Sequence, residues 1–327
     1  MTRLIDGFGR RFRYLRLSVT EVCNFHCTYC LPDGYRKTGP ASFLTVGEIS
    51  RLIEVFAGLG VGKVRLTGGE PSVRRDLGEI IRQVRATPGI DKVALTTNGW
   101  NLARHIEDWT TGGLTNLNVS IDSLDRERFH RITGHDRLDA VLGGLERALE
   151  LQVPSVKINA VLLKDAAGPE QFARFAEFVR TRPVAVRFIE LMRTGDNADY
   201  FARQHVSGQV LASWLAAGGW SPRQRAQDDG PAVEYVHPDH AGRIGLIAPY
   251  GAGFCEGCNR LRVTARGKLR LCLFGDGGID LRDLLDEAAD PAALAARVAG
   301  ALGGKAAGHR LADQITGDTL RLAQMGG

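Results

Sequence analysis

The sequence predicts an α/β protein, a partial (βα)6 barrel of the TIM type closed by a smaller C-terminal domain. Three observations carry this expectation. Extended segments alternate with helical stretches over residues 13–190, the pattern of a parallel sheet with right-handed crossovers. Six such units fall short of a closed eight-fold barrel. After Glu190 the alternation stops, and 195–235 is polar, rich in Gly and Arg and without clear periodicity. The expected boundaries are therefore 1–190 for the barrel and 191–327 for the second domain.

In chain order, Arg13–Val19 reads as a strand running into a cysteine-bearing loop. Thr45 and Glu48 form a capping-box pair that opens a helix reaching about Leu59. Strands follow at Lys63–Thr67, Val93–Thr97, Asn116–Ile121, Val156–Val161 and Val184–Ile189, with a helix over Gln171–Arg180 whose Phe172, Phe175, Ala176 and Val179 make one stripe. An Ala-rich helix is expected from Pro291 to Leu302. Arg16, Arg65, Thr96, Ser120, Lys157 and Asn159 stand where a plain barrel interior would carry Val, Ile or Leu. One polar residue in nearly every strand predicts a charged lumen, and such sheets place their sites at the C-terminal strand ends.

With 327 residues, 44% hydrophobic and 24% charged, the composition is that of a globular chain, which excludes disorder and fibrous repeats. The net charge is +5, with 35 arginines against 7 lysines. That excess fits bidentate recognition of an anion as well as a bias of base composition. No apolar run approaches a membrane span and the N-terminus lacks the apolar core of a secretory signal, so a cytoplasmic protein is expected.

All six cysteines fall into two triplets. Cys23, Cys27 and Cys30 form C-x3-C-x2-C; Cys255 and Cys258 form C-x2-C, and thirteen residues separate Cys258 from Cys272. In a cytosolic chain such spacing points to metal or redox chemistry, not disulfides. A structural zinc wants four ligands. His26 could complete the first triplet, but no comparable residue sits beside the second. Three thiolates on a [4Fe–4S] cluster leave one iron open to a substrate. A zinc-containing nucleic-acid-binding module remains the alternative from another class, marked by zinc content and salt-sensitive binding.

The first triplet, with Tyr29 before its last cysteine, resembles the signature of the radical S-adenosylmethionine (SAM) superfamily. Gly68-Gly69-Glu70-Pro71 after the second strand matches that superfamily's SAM-binding segment. Val64–Pro71, Leu95–Gly99, Asn118–Leu124, Val156–Asn159, Arg187–Met192, Cys258–Val263 and the terminal Gly326-Gly327 together resemble the GTP 3′,8-cyclase (MoaA) family of molybdenum cofactor biosynthesis, over essentially the full chain. Departures occur at Ser72-Val73, at 164–168, and at Lys305–His309, a weak version of a Lys-Pro-x-x-His stretch.

The resemblance implies two [4Fe–4S] clusters, one on Cys23, Cys27 and Cys30 and one on Cys255, Cys258 and Cys272. It implies SAM contacts from Tyr29, Gly69, Ser120 and Met192. GTP would be held by Arg16, Arg65, Thr96, Lys157, Arg260, Leu261 and Arg262, with Arg260, Arg262, Gly326 and Gly327 in catalytic roles. A 5′-deoxyadenosyl radical would take the C3′ hydrogen of GTP and give (8S)-3′,8-cyclo-7,8-dihydroguanosine 5′-triphosphate. The partners implied are an electron donor such as a flavodoxin or ferredoxin system and cyclic pyranopterin monophosphate synthase downstream. Neither nucleic acid nor membrane is implied, and a homodimer is permitted. Within the superfamily, the alternative is a peptide-modifying enzyme with an auxiliary cluster.

Overall fold

The computed structural model describes residues 4–37, 42–224 and 230–325. The first part of the chain gives six strands, β1 (Tyr14–Ser18), β2 (Lys63–Thr67), β3 (Lys92–Thr97), β4 (Asn116–Ser120), β5 (Ser155–Leu162) and β6 (Ala185–Glu190). Between them lie α1 (Val46–Gly58), α2 (Leu77–Ala86), α3 (Leu102–Thr111), α4 (Arg126–Thr133), α5 (Leu138–Glu150) and α6 (Pro169–Thr181). Each neighbouring pair from β1 to β6 is parallel. The N-terminus of α1 carries the expected capping box, with Thr45 Oγ1 accepting from Glu48 N at 3.2 Å and Glu48 Oε2 from Thr45 N at 2.7 Å. Arg282, from the far end of the chain, then pairs with the same Glu48 at 3.0 Å.

The remainder comprises α7 (Ala198–Gln204), α8 (Gln209–Ala217), β7 (Ser221–Pro222), β8 (Val233–Val236), β9 (Arg243–Ile247), β10 (Arg260–Val263), β11 (Lys268–Arg270), β12 (Ile279–Asp280) and α9 (Pro291–Ala301). These strands extend the same sheet at both edges, in the order β12-β11-β10-β1-β2-β3-β4-β5-β6-β9-β8-β7. β10 pairs parallel to β1 and β9 parallel to β6, so eight adjacent strands run in one direction. The helices α7 and α8 lie in the stretch read as aperiodic. α7 has seven residues, none buried, and α8 buries only Leu211 and Leu215, too little for a helical period to show.

Alternation along the strands builds the two sides of the sheet. Leu15 and Leu17, Val64 and Leu66, Leu117 and Val119, and Val186 and Phe188 are fully buried on the side covered by helices. There Phe188 meets Phe172 and Phe175 of α6 edge-to-face at 5.5 and 5.2 Å, a favoured aromatic geometry. The intervening strand residues face the lumen. No helix among the described residues is long and apolar enough to cross a membrane.

Candidate active site

The lumen is a cavity of about 790 Å³ lined by all six cysteines and by the polar positions of the strands. Register explains its charge. Arg262, Arg16 and Arg65 lie side by side on β10, β1 and β2. One step toward the N-terminal strand ends, Arg260, Tyr14, Lys63 and Lys92 form a second row. Thr96, Asn118 and Lys157 form a third, and Asn159 and Arg187 are paired above it.

These cations are held in place by few acids. Arg65 donates through Nε to Tyr14 Oη at 2.5 Å and through Nη1 to Leu95 O and Thr96 Oγ1, both at 3.0 Å. Burial alone would raise the Tyr14 pKa, but Arg65, Arg16 and Lys63 outweigh it and bring it down to about 7. Lys63 sits over the Tyr14 ring at 4.8 Å. Its ammonium is pushed down to about 8 by burial and by Arg65, against the pull of Tyr14. Glu234 on β8 is the counter-charge to Lys157 (3.1 Å), Arg243 (3.0 Å) and Arg223 (3.4 Å). Arg187 donates to Asn159 Oδ1 at 3.0 Å.

The first triplet stands at the C-terminal strand ends, in the loop that follows β1. Gly68 and Gly69, just past β2, dock this loop backbone to backbone: Gly69 N donates to Thr20 O at 3.0 Å and Glu70 N to Val22 O at 2.7 Å. A Cβ on Gly69 would lie 2.3 Å from Val22 O, and one on Gly68 2.4 Å from Thr20 O, so only glycine fits. The Glu70 carboxylate accepts from Ser72 N (2.9 Å), Thr97 Oγ1 (2.6 Å) and Asn98 N (2.6 Å). It pins the turn to the end of β3. Tyr29 donates to Asp122 Oδ2 at 2.9 Å, and Val161 N donates to Oδ1 at 2.8 Å. Burial raises the Asp122 pKa to about 6. It likewise pushes the thiols of Cys23 and Cys30 up to about 11 and 12, and raises that of Cys27 well above its ordinary value. Ser120 and Met192 line the cavity at this end, with Glu190 and the C-terminal Leu322 and Ala323.

The second triplet lies at the opposite end of the lumen. Cys255 and Cys258 precede β10, and Cys272 follows β11, which runs antiparallel to it. Arg10 ties this region together: it pairs with Asp6 at 2.7 Å and donates to Cys255 O (3.1 Å), Ala306 O (2.6 Å) and Ala307 O (2.5 Å). Lys305 donates to Leu271 O, beside Cys272. Burial alone would raise the Cys258 thiol, but Arg260, Lys305 and Arg10 outweigh it and lower its pKa.

The cavity therefore gathers Arg16, Arg65, Thr96, Lys157, Arg260, Arg262, Tyr29, Gly69, Ser120, Met192 and the six cysteines. Leu261 faces the other way, 1% exposed in the apolar core, which leaves only its backbone for a ligand. Gly326 and Gly327 lie outside the described residues. Tyr14, Lys63 and Arg187 are cavity residues that the sequence reading passed over. The signal was present: Tyr14 and Lys63 stand two positions before Arg16 and Arg65, and Arg187 three after Val184 on a strand already recognised. Arg10 carried no such signal, since apart from Asp6 its partners are 245 and more residues away.

The fold, with a thiol loop at the C-terminal strand ends, defines a radical SAM protein. The family model described as Radical SAM superfamily matches residues 17–179, and that described as Molybdenum Cofactor Synthesis C matches 184–311. The chain is 57% identical to GTP 3′,8-cyclase of Stenotrophomonas maltophilia (strain K279a), covering all of both chains. It is 53% identical to the enzyme of the same name from Synechococcus elongatus, again over all of both chains, and to that from Vibrio cholerae over 98% of this chain and 97% of the relative. The chain belongs to the GTP 3′,8-cyclase family. Among solved structures, Streptococcus suis SuiB bound to S-adenosylmethionine superposes with a TM-score of 0.60 at 15% identity, over 85% of this chain and 66% of that one. A radical SAM methyltransferase from Sphaerobacter thermophilus gives 0.50 at 15% identity, over 61% of each chain. At that identity the likeness concerns the fold.

Proposed function

We infer that the protein is a radical SAM GTP 3′,8-cyclase acting early in molybdenum cofactor biosynthesis. The observation that carries this reading is one cavity with a thiol triplet at each end and rows of Arg and Lys between them. All six thiols are free and partly exposed. Three thiols in each group, with no fourth residue of that kind beside the second, suit a polynuclear guest better than zinc completed by His26. Cys23, Cys27 and Cys30 would hold one [4Fe–4S] cluster, and Cys255, Cys258 and Cys272 a second. When bound, the first cluster and SAM supply a 5′-deoxyadenosyl radical.

The remaining work falls to the chain. A triphosphate carries about four negative charges, and guanidiniums that need no reorganisation are suited to meet them. Arg16, Arg65, Arg260, Arg262 and Lys157 would hold GTP by that end, joined by Lys63 and Arg187, and Thr96 by a neutral contact. The acidic rim at the other end, Glu190 and Asp122 among it, suits cationic SAM, with Tyr29, Gly69, Ser120 and Met192 around it. Anchoring both molecules fixes the ribose C3′ hydrogen before the adenosyl carbon and excludes water. A misplacement of about 1 Å can cost on the order of a hundredfold. Leu322–Met325 runs beside the first triplet, where Ala323 N–H donates toward Cys30; the catalytic role of Gly326 and Gly327 is part of this reading through the family resemblance.

The same reading includes a flavodoxin- or ferredoxin-type electron donor, cyclic pyranopterin monophosphate synthase as consumer of the product, and a cytoplasmic setting. It keeps a division near residue 190, 1–190 around the SAM site and 191–327 with the second cluster. A peptide-modifying enzyme would leave the guanidinium rows without a ligand. The deciding assay is anaerobic formation of 5′-deoxyadenosine from SAM with each nucleoside triphosphate in turn. GTP alone should drive it; equal stimulation by ATP or CTP would refute the reading. Reconstituted protein should hold about eight iron atoms, and the Cys255→Ala/Cys258→Ala/Cys272→Ala variant about four.

A further inference from the structure

Lys305 caps the short turn Leu302–Gly304 that follows α9, and it is 6% exposed. Its ammonium donates to Leu271 O, beside Cys272, and stands 5.1 Å from the centre of the Phe12 ring. Among the described residues no carboxylate pairs with it. The Leu271 carbonyl asks only for a neutral donor, so that hydrogen bond does not account for a full charge. Burying an unpaired ammonium is costly, and the cost is offset where something anionic meets it.

The anion at hand is the second thiol triplet. Lys305 lines the cavity together with Cys255, Cys258 and Cys272. Arg10 fastens the segment after Lys305 to that triplet, since it donates to Cys255 O as well as to Ala306 O and Ala307 O. Burial works against the Cys258 thiolate, while the charges of Arg260, Lys305 and Arg10 favour it. Of these three, Arg10 is neutralised by Asp6 at 2.7 Å, and Arg260 stands in the rows assigned to GTP. Lys305 has neither partner. The first triplet is the opposite case: burial and the carboxylates of Glu70, Asp122 and Asp196 oppose the thiolates there.

We propose that Lys305 raises the reduction potential of the [4Fe–4S] cluster on Cys255, Cys258 and Cys272, as the buried counter-charge to the electron that cluster takes up. Three thiolates leave an oxidised [4Fe–4S]2+ core with one net negative charge. A one-electron reductant adds a second, and no bond forms or breaks. A fixed cation in a pocket of low dielectric favours the more negative state, and net charge is one of the levers that set such potentials. Lys305 thus acts through the charge of the site, not by touching the reacting atoms. The inference rests on the reading that the second triplet holds such a cluster.

The test is an anaerobic redox titration of reconstituted holoenzyme, followed by low-temperature electron paramagnetic resonance, for wild type, Lys305→Met and Lys305→Arg. Added SAM perturbs the signal of the first cluster and so tells the two apart. Met keeps the length of the side chain and removes the charge; Arg keeps the charge. Lys305→Met should make the second cluster about tenfold harder to reduce, about 59 mV for one electron, with iron content and the first cluster's potential unchanged. Lys305→Arg should restore most of the difference. An unchanged potential, an equal shift of both clusters, a loss of iron in Lys305→Met, or an Arg variant no better than Met would each overturn the proposal. Wild-type protein with about four iron atoms and a single signal, all of it perturbed by SAM, would instead overturn the two-cluster reading on which it rests.

Discussion

At Gly69 the absence of one methyl group decides whether the first cysteine loop can seat. Carbonyl oxygens of Val22 and Glu21 stand 2.3 and 2.6 Å from where a Cβ would be, and backbone cannot yield as a flexible side chain does. Gly69→Ala should displace the Cys23–Cys30 loop while leaving the second triplet, at the far end of the lumen, undisturbed. Iron in the reconstituted variant should fall from about eight toward about four atoms, with SAM binding lost and nucleotide binding retained. Full iron content with normal SAM affinity would show that the loop tolerates the methyl. The close approach of these glycines was legible as a turn near a ligand. That the thing approached is the protein's own loop, and that Glu70 locks the turn to Thr97 and Asn98, was not, because those partners lie 27 and 28 residues on.

Strand β10 shows two roles on its two sides. Arg260 and Arg262 face the cavity, while Leu261 and Val263 are each 1% exposed in the core. Arg262→Ala should weaken GTP binding or conversion by roughly 1.5–3 kcal/mol, the range for a charged hydrogen bond, with little change in thermal stability. Leu261→Ala should cost about 2–5 kcal/mol of folding stability through the cavity it leaves. Nucleotide titration and thermal melts of the two variants separate these effects; similar losses of GTP affinity in both would contradict the two-sided strand. The alternation was readable from four residues. The parallel pairing that sets Arg262 beside Arg16 was not, since it joins segments about 245 residues apart and nothing local encodes it. The short α7 and α8 escaped for the opposite reason: they bury too few residues to leave a period.

Across the whole molecule, the lumen without nucleotide crowds like charges, and its pH dependence should show it. Tyr14 has a folded pKa of about 7 against an ordinary 10.0, so its phenolate adds stability that is complete above pH 10 and lost as pH falls through 7. Lys63, at about 8 against 10.5, is favoured neutral, so its contribution is also lost as pH falls from 10.5 to 8. Both have the same sign. Nucleotide-free holoenzyme should therefore melt higher as pH rises from 7 to 10, by roughly a few degrees. Bound GTP should flatten the slope, because its phosphates supply the missing counter-charge. A melting temperature that falls over this window would contradict the account. The polar lumen and both cysteine groups were legible from residue type and spacing. That the cysteine groups occupy opposite ends of one cavity depends on which way β10 and β11 run, and only the fold reveals it.

That opposed placement would bring GTP and SAM together with the ribose between them. The most direct measurement is the fate of deuterium from [3′-²H]GTP in an anaerobic single turnover with SAM and a chemical reductant. The account predicts 5′-deoxyadenosine carrying one deuterium, formed together with the cyclised nucleotide. Deoxyadenosine without label, or label transferred from another ribose position, would mean that the cavity does not hold GTP as its charges and thiols indicate.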